Sequence, residues 1–351
     1  MTTDYIIVGL GLAGIAFCEQ LRDHGKEFMV FDGGSQQSST VAGGVYNPIV
    51  LKRFTAAWKA AEQLPKAISL YGKLEKRFSG QLVYPMPVYR KFASVEEQNL
   101  WFEAADKPVL SDFLSVRMIH NDNPHVRAPH GFGEVQHTGR IAVKTLQDNY
   151  TRELLAAGKL RQETLVYNAL EFQDDKVRYQ DVEAAHIVFA EGFGMLSNPF
   201  FDYLPLQGAK GELLTIEAPG LGIDFILKSS VFLIPVGGDV YKVGATYNWQ
   251  DKTNETTERA KEELLGKLKP LLDCSYRLIG QEAGIRPTVS DRRPLAGRHP
   301  KYEHMYVLNG LGTRGTLTGP YMAEQLFRLI EAGIPLEEEI NIDRFRARYS
   351  G

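Results

Sequence analysis

Cysteine is nearly absent. Cys18 and Cys274 are the only two in 351 residues, too few for a disulfide framework or a zinc cluster, and a reducing compartment is expected. No closely spaced histidine and acid pair suggests a metal site; His120, His125, His130 and His137 fall in a loop-rich region and read as surface or packing residues. No apolar run approaches the roughly eighteen residues that span a membrane, and because the first residues run almost directly into an apolar strand no leader is expected. The expectation is a cytoplasmic protein with no membrane partner. Charge of one sign is also missing: a net charge of −3, with 24% charged residues, argues against nonspecific affinity for nucleic acid. There is no Gly-x-Ser-x-Gly elbow, no defensible acid and base carboxylate pair, no internal repeat and no low-complexity tail. With 44% hydrophobic residues, a chain of this length forms one large domain or two that exchange segments.

What is present begins at once. The apolar run Tyr5-Ile6-Ile7-Val8 leads into Gly9-Leu10-Gly11-Leu12-Ala13-Gly14 and then a helical pattern from about Ala13 to His24. Gly9 suits the tight turn, Gly11 leaves the backbone bare toward a phosphate, and Gly14 lets the helix lie close to the strand. The helix then points its N-terminal amides and dipole at the anion. A second apolar run, Phe28 to Phe31, ends in Asp32, about twenty residues on, where a carboxylate accepts hydrogen bonds from ribose hydroxyls. The plain alternative is a strand-turn-helix unit with an ordinary loop acid.

Further along, the small and polar stretch from Gly33 to Val45 reads as backbone kept bare for a ligand. A helix is predicted from roughly Thr55 to Phe78, and short strands and turns from Leu82 to Val135. Helical character returns from Ala142 to Leu155. A strand over 185–190 then ends in Glu191-Gly192-Phe193-Gly194. Leu213 to Ile216, Val231 to Ile234 and Tyr241 to Thr246 read as consecutive antiparallel strands, followed by an amphipathic helix from Thr257 to Leu268. A strand at Met305 to Leu308, a glycine loop from Asn309 to Gly315 and a helix from Gly319 to Glu331 repeat the first texture. This order implies an α/β nucleotide domain (1–80, 136–205 and 283–351) with a mainly antiparallel domain inserted in two pieces (81–135 and 206–282).

The GLGLAG start, HIVFAEGFG (186–194), LIPVGGDVYKVGATY (233–247), GIRPTVSDRRPLAG (284–297) and YVLNGLGTRGTLTGPYMAEQL (306–326) resemble, in that order, the D-amino-acid oxidase and glycine oxidase superfamily of flavoenzymes. The last segment is most similar to the oxidase half of bifunctional bacterial enzymes that process a carboxymethylaminomethyl uridine in tRNA. The resemblance implies a Rossmann-like FAD-binding domain with an inserted, mainly antiparallel β substrate domain. Cofactor contacts are implied at Gly9, Gly11, Leu12, Ala13, Gly14, Asp32, Gly33, Thr40, Ala42, Gly43, Gly44, Val45, Val166, Gly192, Gly312, Thr313, Arg314, Gly315 and Thr316. FAD is expected to be non-covalent, since neither cysteine falls in a segment matching a flavin loop. Asp32 stands where the family more often has Glu, which weakens the distinction between FAD and NAD.

The resemblance also implies chemistry. Arg286, in the GxRP segment, corresponds to the arginine that holds the substrate carboxylate through two parallel hydrogen bonds; the alternative is an ion pair with Asp291 or another acid. Arg314 either stabilises negative charge developing on the flavin, or is a second carboxylate ligand, or is a solvated arginine in a capping loop. Phe232 aligns with a pocket tyrosine of glycine oxidase relatives and cannot hydrogen-bond a carboxylate, so Tyr46, Tyr241 or Tyr247 is expected to supply the hydroxyl unless the substrate differs. The expected reaction is hydride transfer from a small carboxylated amine, an N-substituted glycine or a D-amino acid, to flavin N5. It gives an imine, with O2 or another electron acceptor reoxidising the flavin. A tRNA partner, or a non-catalytic flavoprotein with a protein partner, is the competing and less favoured expectation.

Overall fold

The second halves of strands Thr2–Val8 and Val182–Phe189, Tyr5-Ile6-Ile7-Val8 and Ile187-Val188-Phe189, are apolar throughout because the sheet they share is covered on both faces. They pair in parallel, bringing Val8 beside Phe189, in a computed structural model that describes residues 1–173 and 176–349. Phe28–Phe31 joins the outer side of Thr2–Val8 and Leu160–Arg161 follows it, all parallel. Val182–Phe189 takes two neighbours on its far side. The antiparallel pair Lys176–Tyr179 and Leu170–Gln173 lies along its first half, and the parallel strand Met305–Asn309 along its second. Leu295–Arg298 completes the sheet antiparallel to Met305–Asn309.

Helices Leu12–Asp23 and Gly315–Ala332 lie against one face of this sheet and against each other, with Ile15, Leu21, Leu317, Met322 and Leu326 in one buried cluster. On the other face Phe189, Met195, Phe201 and Val289 form a second cluster. A second eight-stranded sheet has the order Arg277–Val289, Leu206–Glu217, Val240–Gly244, Phe232–Gly237, Ile226–Lys228, Val88–Lys91, Phe132–Val135, Leu114–Ile119. Every neighbour in it is antiparallel except Ile226–Lys228 with Val88–Lys91, where the two separate stretches of chain join. Strand alternation sends Leu214 and Ile216 toward Leu264 and Leu268 of helix Glu258–Leu268. Gly211 and Leu213, on the opposite face, line a cavity.

Several expected boundaries move. The helix expected from Thr55 begins at Ala60, because Thr55–Ala56 pairs with Ile49–Val50 and Lys59 is left-handed at φ 47°. The stretch 82–135 contains an additional helix, Val95–Ala105. Its start is capped by Ser94, whose Oγ accepts from the Glu97 amide, while Glu97 Oε2 accepts from the Ala93 amide one residue before the cap. The last helix starts at Gly315, with Pro320 inside it rather than at its head. Arg277–Val289 runs unbroken through position 283, so residues 283–289 belong to the antiparallel sheet in this structure.

Glu19 holds the first helix in place. Its carboxylate has no exposed surface and takes hydrogen bonds from Arg77 (2.8 Å) and Tyr150 (2.8 Å), with Lys73 at 2.8 Å. These donors come from helices Ala60–Phe78 and Val143–Ala156, so one buried acid ties three helices together. Burial opposes its ionisation, but hydrogen bonds and charge from Lys73 and Arg77 outweigh that and lower its value. A depressed carboxylate contributes stability above the ordinary glutamate range and loses it as pH falls through the folded value. Glu19→Gln is expected to lower the unfolding free energy by about 2–4 kcal/mol at pH 7. Urea melts should show the deficit shrinking below about pH 4; an equal deficit at both pH values would mean that the charge contributes nothing.

Candidate active site

Both helix N-termini open onto one cavity of about 760 Å³, bounded on its other side by the antiparallel sheet. Gly9 carries the chain from strand to helix at φ +100°, and a Cβ there would lie 2.5 Å from the Ala190 carbonyl oxygen. Only glycine combines that backbone with that approach. Gly14 has the same kind of constraint, since its Cβ would lie 2.0 Å from the Gly9 carbonyl oxygen. Gly9, Gly11, Leu12, Ala13, Asp32, Gly33, Ala42, Gly43, Gly44, Val45, Gly192, Gly312, Thr313, Arg314, Gly315 and Thr316 all line the cavity. The Asp32 carboxyl sits at the end of the second strand facing the Leu10 and Gly34 amides, and burial raises its value against their opposing effect.

Three residues expected at the cofactor lie off the lining. Gly14 packs behind the turn. The Thr40 hydroxyl is directed to the Gln37 carbonyl at 3.0 Å. Val166 is 58% exposed, because in an extended segment its side chain alternates away from Leu165 and Tyr167, which do line the cavity. Two tyrosines are also elsewhere. Tyr46 is buried in the helical core beside Gly139, and burial pushes its phenol up to about 12. Tyr241 points into the core under helix Glu258–Leu268, its hydroxyl near the Gly222 and Ile223 backbone. Phe232 and Tyr247 line the cavity.

Arg286 and Arg314 both line this cavity, and both lie near Tyr247. Arg286 Nη1 donates weakly to the carbonyls of Ala209 (3.4 Å) and Thr246 (3.3 Å), and its guanidinium lies 4.4 Å from the centre of the Tyr247 ring. Its space exists only because residue 211 is glycine: a Cβ there would lie 2.0 Å from Nη2. Arg314 Nη1 donates to the Asn47 carbonyl (2.6 Å) and Nη2 to that of Ile49 (3.1 Å). Burial lowers both guanidinium values, with the Tyr247 hydroxyl acting weakly the other way. Asp291, the alternative partner for Arg286, is taken by Arg344 at 2.9 Å. Among the described residues neither cavity arginine has a carboxylate within 4.0 Å.

Other lining residues had no motif to announce them. Ser38 and Ser39 come from a short helix inside the stretch read as ligand-contacting, and Ser39 Oγ accepts from the Leu12 amide at 3.4 Å. Glu191 is engaged by Tyr167 (2.7 Å) and Asn198 (2.8 Å), and burial raises its value against both. Lys228, an ordinary lysine by sequence, is directed into the cavity with its Nζ 4.6 Å above the Phe232 ring.

Two bare glycine turns at helix N-termini, an acid at the second strand's end and a cavity closed by an antiparallel sheet are the parts of a dinucleotide-binding site. The residues present fit FAD, and neither cysteine lines the cavity. The chain belongs to the FAD-dependent oxidoreductase family of D-amino-acid oxidase, whose model matches residues 4–329. It is 22% identical to the bifunctional protein of tRNA 5-methylaminomethyl-2-thiouridine biosynthesis of Marinobacter nauticus, over 93% of this chain and 55% of that one. It is 29% identical to the glycine oxidase of Bacillus licheniformis, over 47% and 46%. The chain spans about half the length of the curated relatives it matches. Glycine oxidase from Geobacillus kaustophilus superposes with a TM-score of 0.79 at 17% identity, covering 98% of both chains. Iminodiacetate oxidase from a Chelativorans species gives 0.74 at 18%, covering 97% of this chain and 98% of that one. Among the described residues no helix is long and apolar enough to cross a membrane.

Two outcomes follow for the site. Gly9→Val should yield protein that purifies without the yellow colour of bound flavin; full visible absorbance would refute the close approach at that turn. Lys228 is drawn down to about 8 by burial and by the charges of Arg90 and Lys267. Between about pH 8 and the ordinary lysine value of 10.5 the unfolded chain binds more protons at this group, so protonation costs stability below pH 8. Lys228→Met is therefore expected to stabilise the protein by about 1–3 kcal/mol at pH 7 and to give no such gain near pH 10.5. Urea melts at the two pH values check this; a variant destabilised at pH 7 would show the cation to be compensated.

Proposed function

We propose that this protein oxidises a small carboxylated amine, an N-substituted glycine or a D-amino acid, to the corresponding imine. One observation carries the reading: two desolvated guanidiniums, Arg286 and Arg314, share a cavity with no carboxylate among the described residues beside them. A planar guanidinium takes a carboxylate through two parallel hydrogen bonds and so orients the neighbouring carbon as well as attracting charge. Arg286, held only by long bonds to carbonyls, keeps donors for that purpose. Arg314 is tied more tightly to the backbone and acts in this reading through its fixed charge. Glu191 is occupied by Tyr167 and Asn198 and is not assigned as a base, so the amine is taken up neutral.

FAD, when bound, supplies the two-electron acceptor for the change from amine to imine, with dioxygen as the proposed final acceptor. The chain's own part is orientation and exclusion of water. Likeness to glycine oxidase and iminodiacetate oxidase supports this substrate class. A cytoplasmic setting goes with it, since both cysteines are free.

A second reading places the same amine chemistry on a modified uridine in tRNA. Relatedness to the tRNA-modifying bifunctional proteins favours it, as do the exposed Lys52 on the cavity lining and its exposed neighbour Arg53. Retention of the protein by tRNA in a mobility-shift assay, coupled to flavin bleaching by the modified tRNA alone, would select it.

For the first reading, anaerobic mixing of the yellow protein with sarcosine, glycine, iminodiacetate and D-alanine should bleach the flavin with at least one of them. Arg286→Ala should raise KM for that amine at least tenfold, equivalent to about 1.4 kcal/mol, while retaining FAD. An unchanged KM would overturn the clamp, and no bleaching by any small amine would overturn the substrate class.

A further inference from the structure

Lys228 has no part in the reaction as proposed above, yet it lies half-buried on the same cavity wall as Arg286. Among the described residues it makes neither an ion pair nor a hydrogen bond; its one contact of note is the face of Phe232. The two cations nearest to it are already matched: Arg90 by Glu97 at 2.5 Å and Lys267 by Glu263 at 2.5 Å. The lining carboxylates lie elsewhere. Asp32 and Glu163 flank Gly33 and Thr164 on the Rossmann side, and Glu191 is engaged by Tyr167 and Asn198. An ammonium that is partly desolvated and unmatched is an incomplete interaction.

Strand register sets where this charge sits. Leu213, Gly244, Phe232 and Lys228 are successive cross-strand partners and form one row across the cavity face. The Arg286 guanidinium lies over Gly211 on the second strand of the sheet, and the Lys228 ammonium over Phe232 on the fourth. Two strand spacings and an offset of two residues separate the cations by about 10–12 Å. With a hydrogen-bonded anion about 3 Å from each, the two anions would lie roughly 5–8 Å apart.

We infer that Lys228, backed by Phe232, forms a second anion subsite, and that the substrate carries a carboxylate or phosphate about 5–8 Å from the carboxylate held by Arg286. The inference rests on the carboxylated-amine reading for its first anion only. Phe232 suits the role: an aromatic face holds the ammonium in place without competing for its donors. Ser230 and Lys267 also line this part of the cavity.

Calorimetry on the FAD-loaded protein tests the subsite without turnover. Adipate and 5-phosphonopentanoate, which carry two anions on one short chain, should bind at least tenfold more tightly than hexanoate, which carries one. Whichever of the two binds more tightly distinguishes a distal carboxylate from a distal phosphate. Lys228→Gln should bring the ratio to within about twofold, and Lys228→Arg should keep the preference. A wild-type protein without the preference, or a Lys228→Gln variant that retains it, overturns the inference. Arg286→Ala separates the two claims: if hexanoate binding is unaffected, the carboxylate clamp fails. Methylphosphonate binding to Arg286→Ala then reads Lys228 alone, and its persistence in Arg286→Ala/Lys228→Gln overturns the subsite.

Discussion

The parallel pairing of Thr2–Val8 with Val182–Phe189 is the contact on which the site depends. It ends both strands at one level, so that Gly9 and Ala190 meet closely enough to exclude any side chain at position 9. Met305–Asn309 extends the same sheet edge, and its following loop delivers a second helix N-terminus beside the first. Three turns far apart in sequence thus face one cavity because their strands share a sheet and a direction, as ligand sites at the carboxyl ends of parallel strands require. Glu19 keeps the first helix at that edge by binding donors from two others.

Electrostatics divides the cavity. On the Rossmann side the lining carries the carboxylates of Asp32 and Glu163, while the antiparallel wall and the last glycine loop carry Arg286, Arg314 and Lys228. Desolvation makes each of these cations more costly to keep than a surface charge, and among the described residues none is matched by an acid. Gly211 makes room for one of them, since a methyl group there would overlap the Arg286 guanidinium.

Much of the fold was legible because its signals are local. Phe28–Phe31 falls where its apolar run ends, and the predicted helix over 257–268 is found as Glu258–Leu268. Helix Val95–Ala105 was not predicted: proline and aromatic residues on either side gave the stretch the texture of strands and turns, although Ser94 and Glu97 stand at helix-start spacing. The candidate site was less evenly readable. Glycine turns and the two arginines carry motifs, whereas Tyr46 and Tyr241 differ from Tyr247 only in which side of a strand or loop they occupy. Val166 missed the cavity by one position of alternation.

Five motifs in order along the chain carried the resemblance to the flavoenzyme family, and by itself the sequence determined the strand-turn-helix at the start, the return of the same texture at the end and the positions of the arginines that enter the cavity. These depend on residue type at fixed short spacing. Tertiary structure alone decided that Asp291 belongs to Arg344, that Arg286 occupies space left by Gly211, and that Lys228 faces the cavity over Phe232. Each of those facts depends on which strands became neighbours and in what register, a choice made by burial over the whole chain.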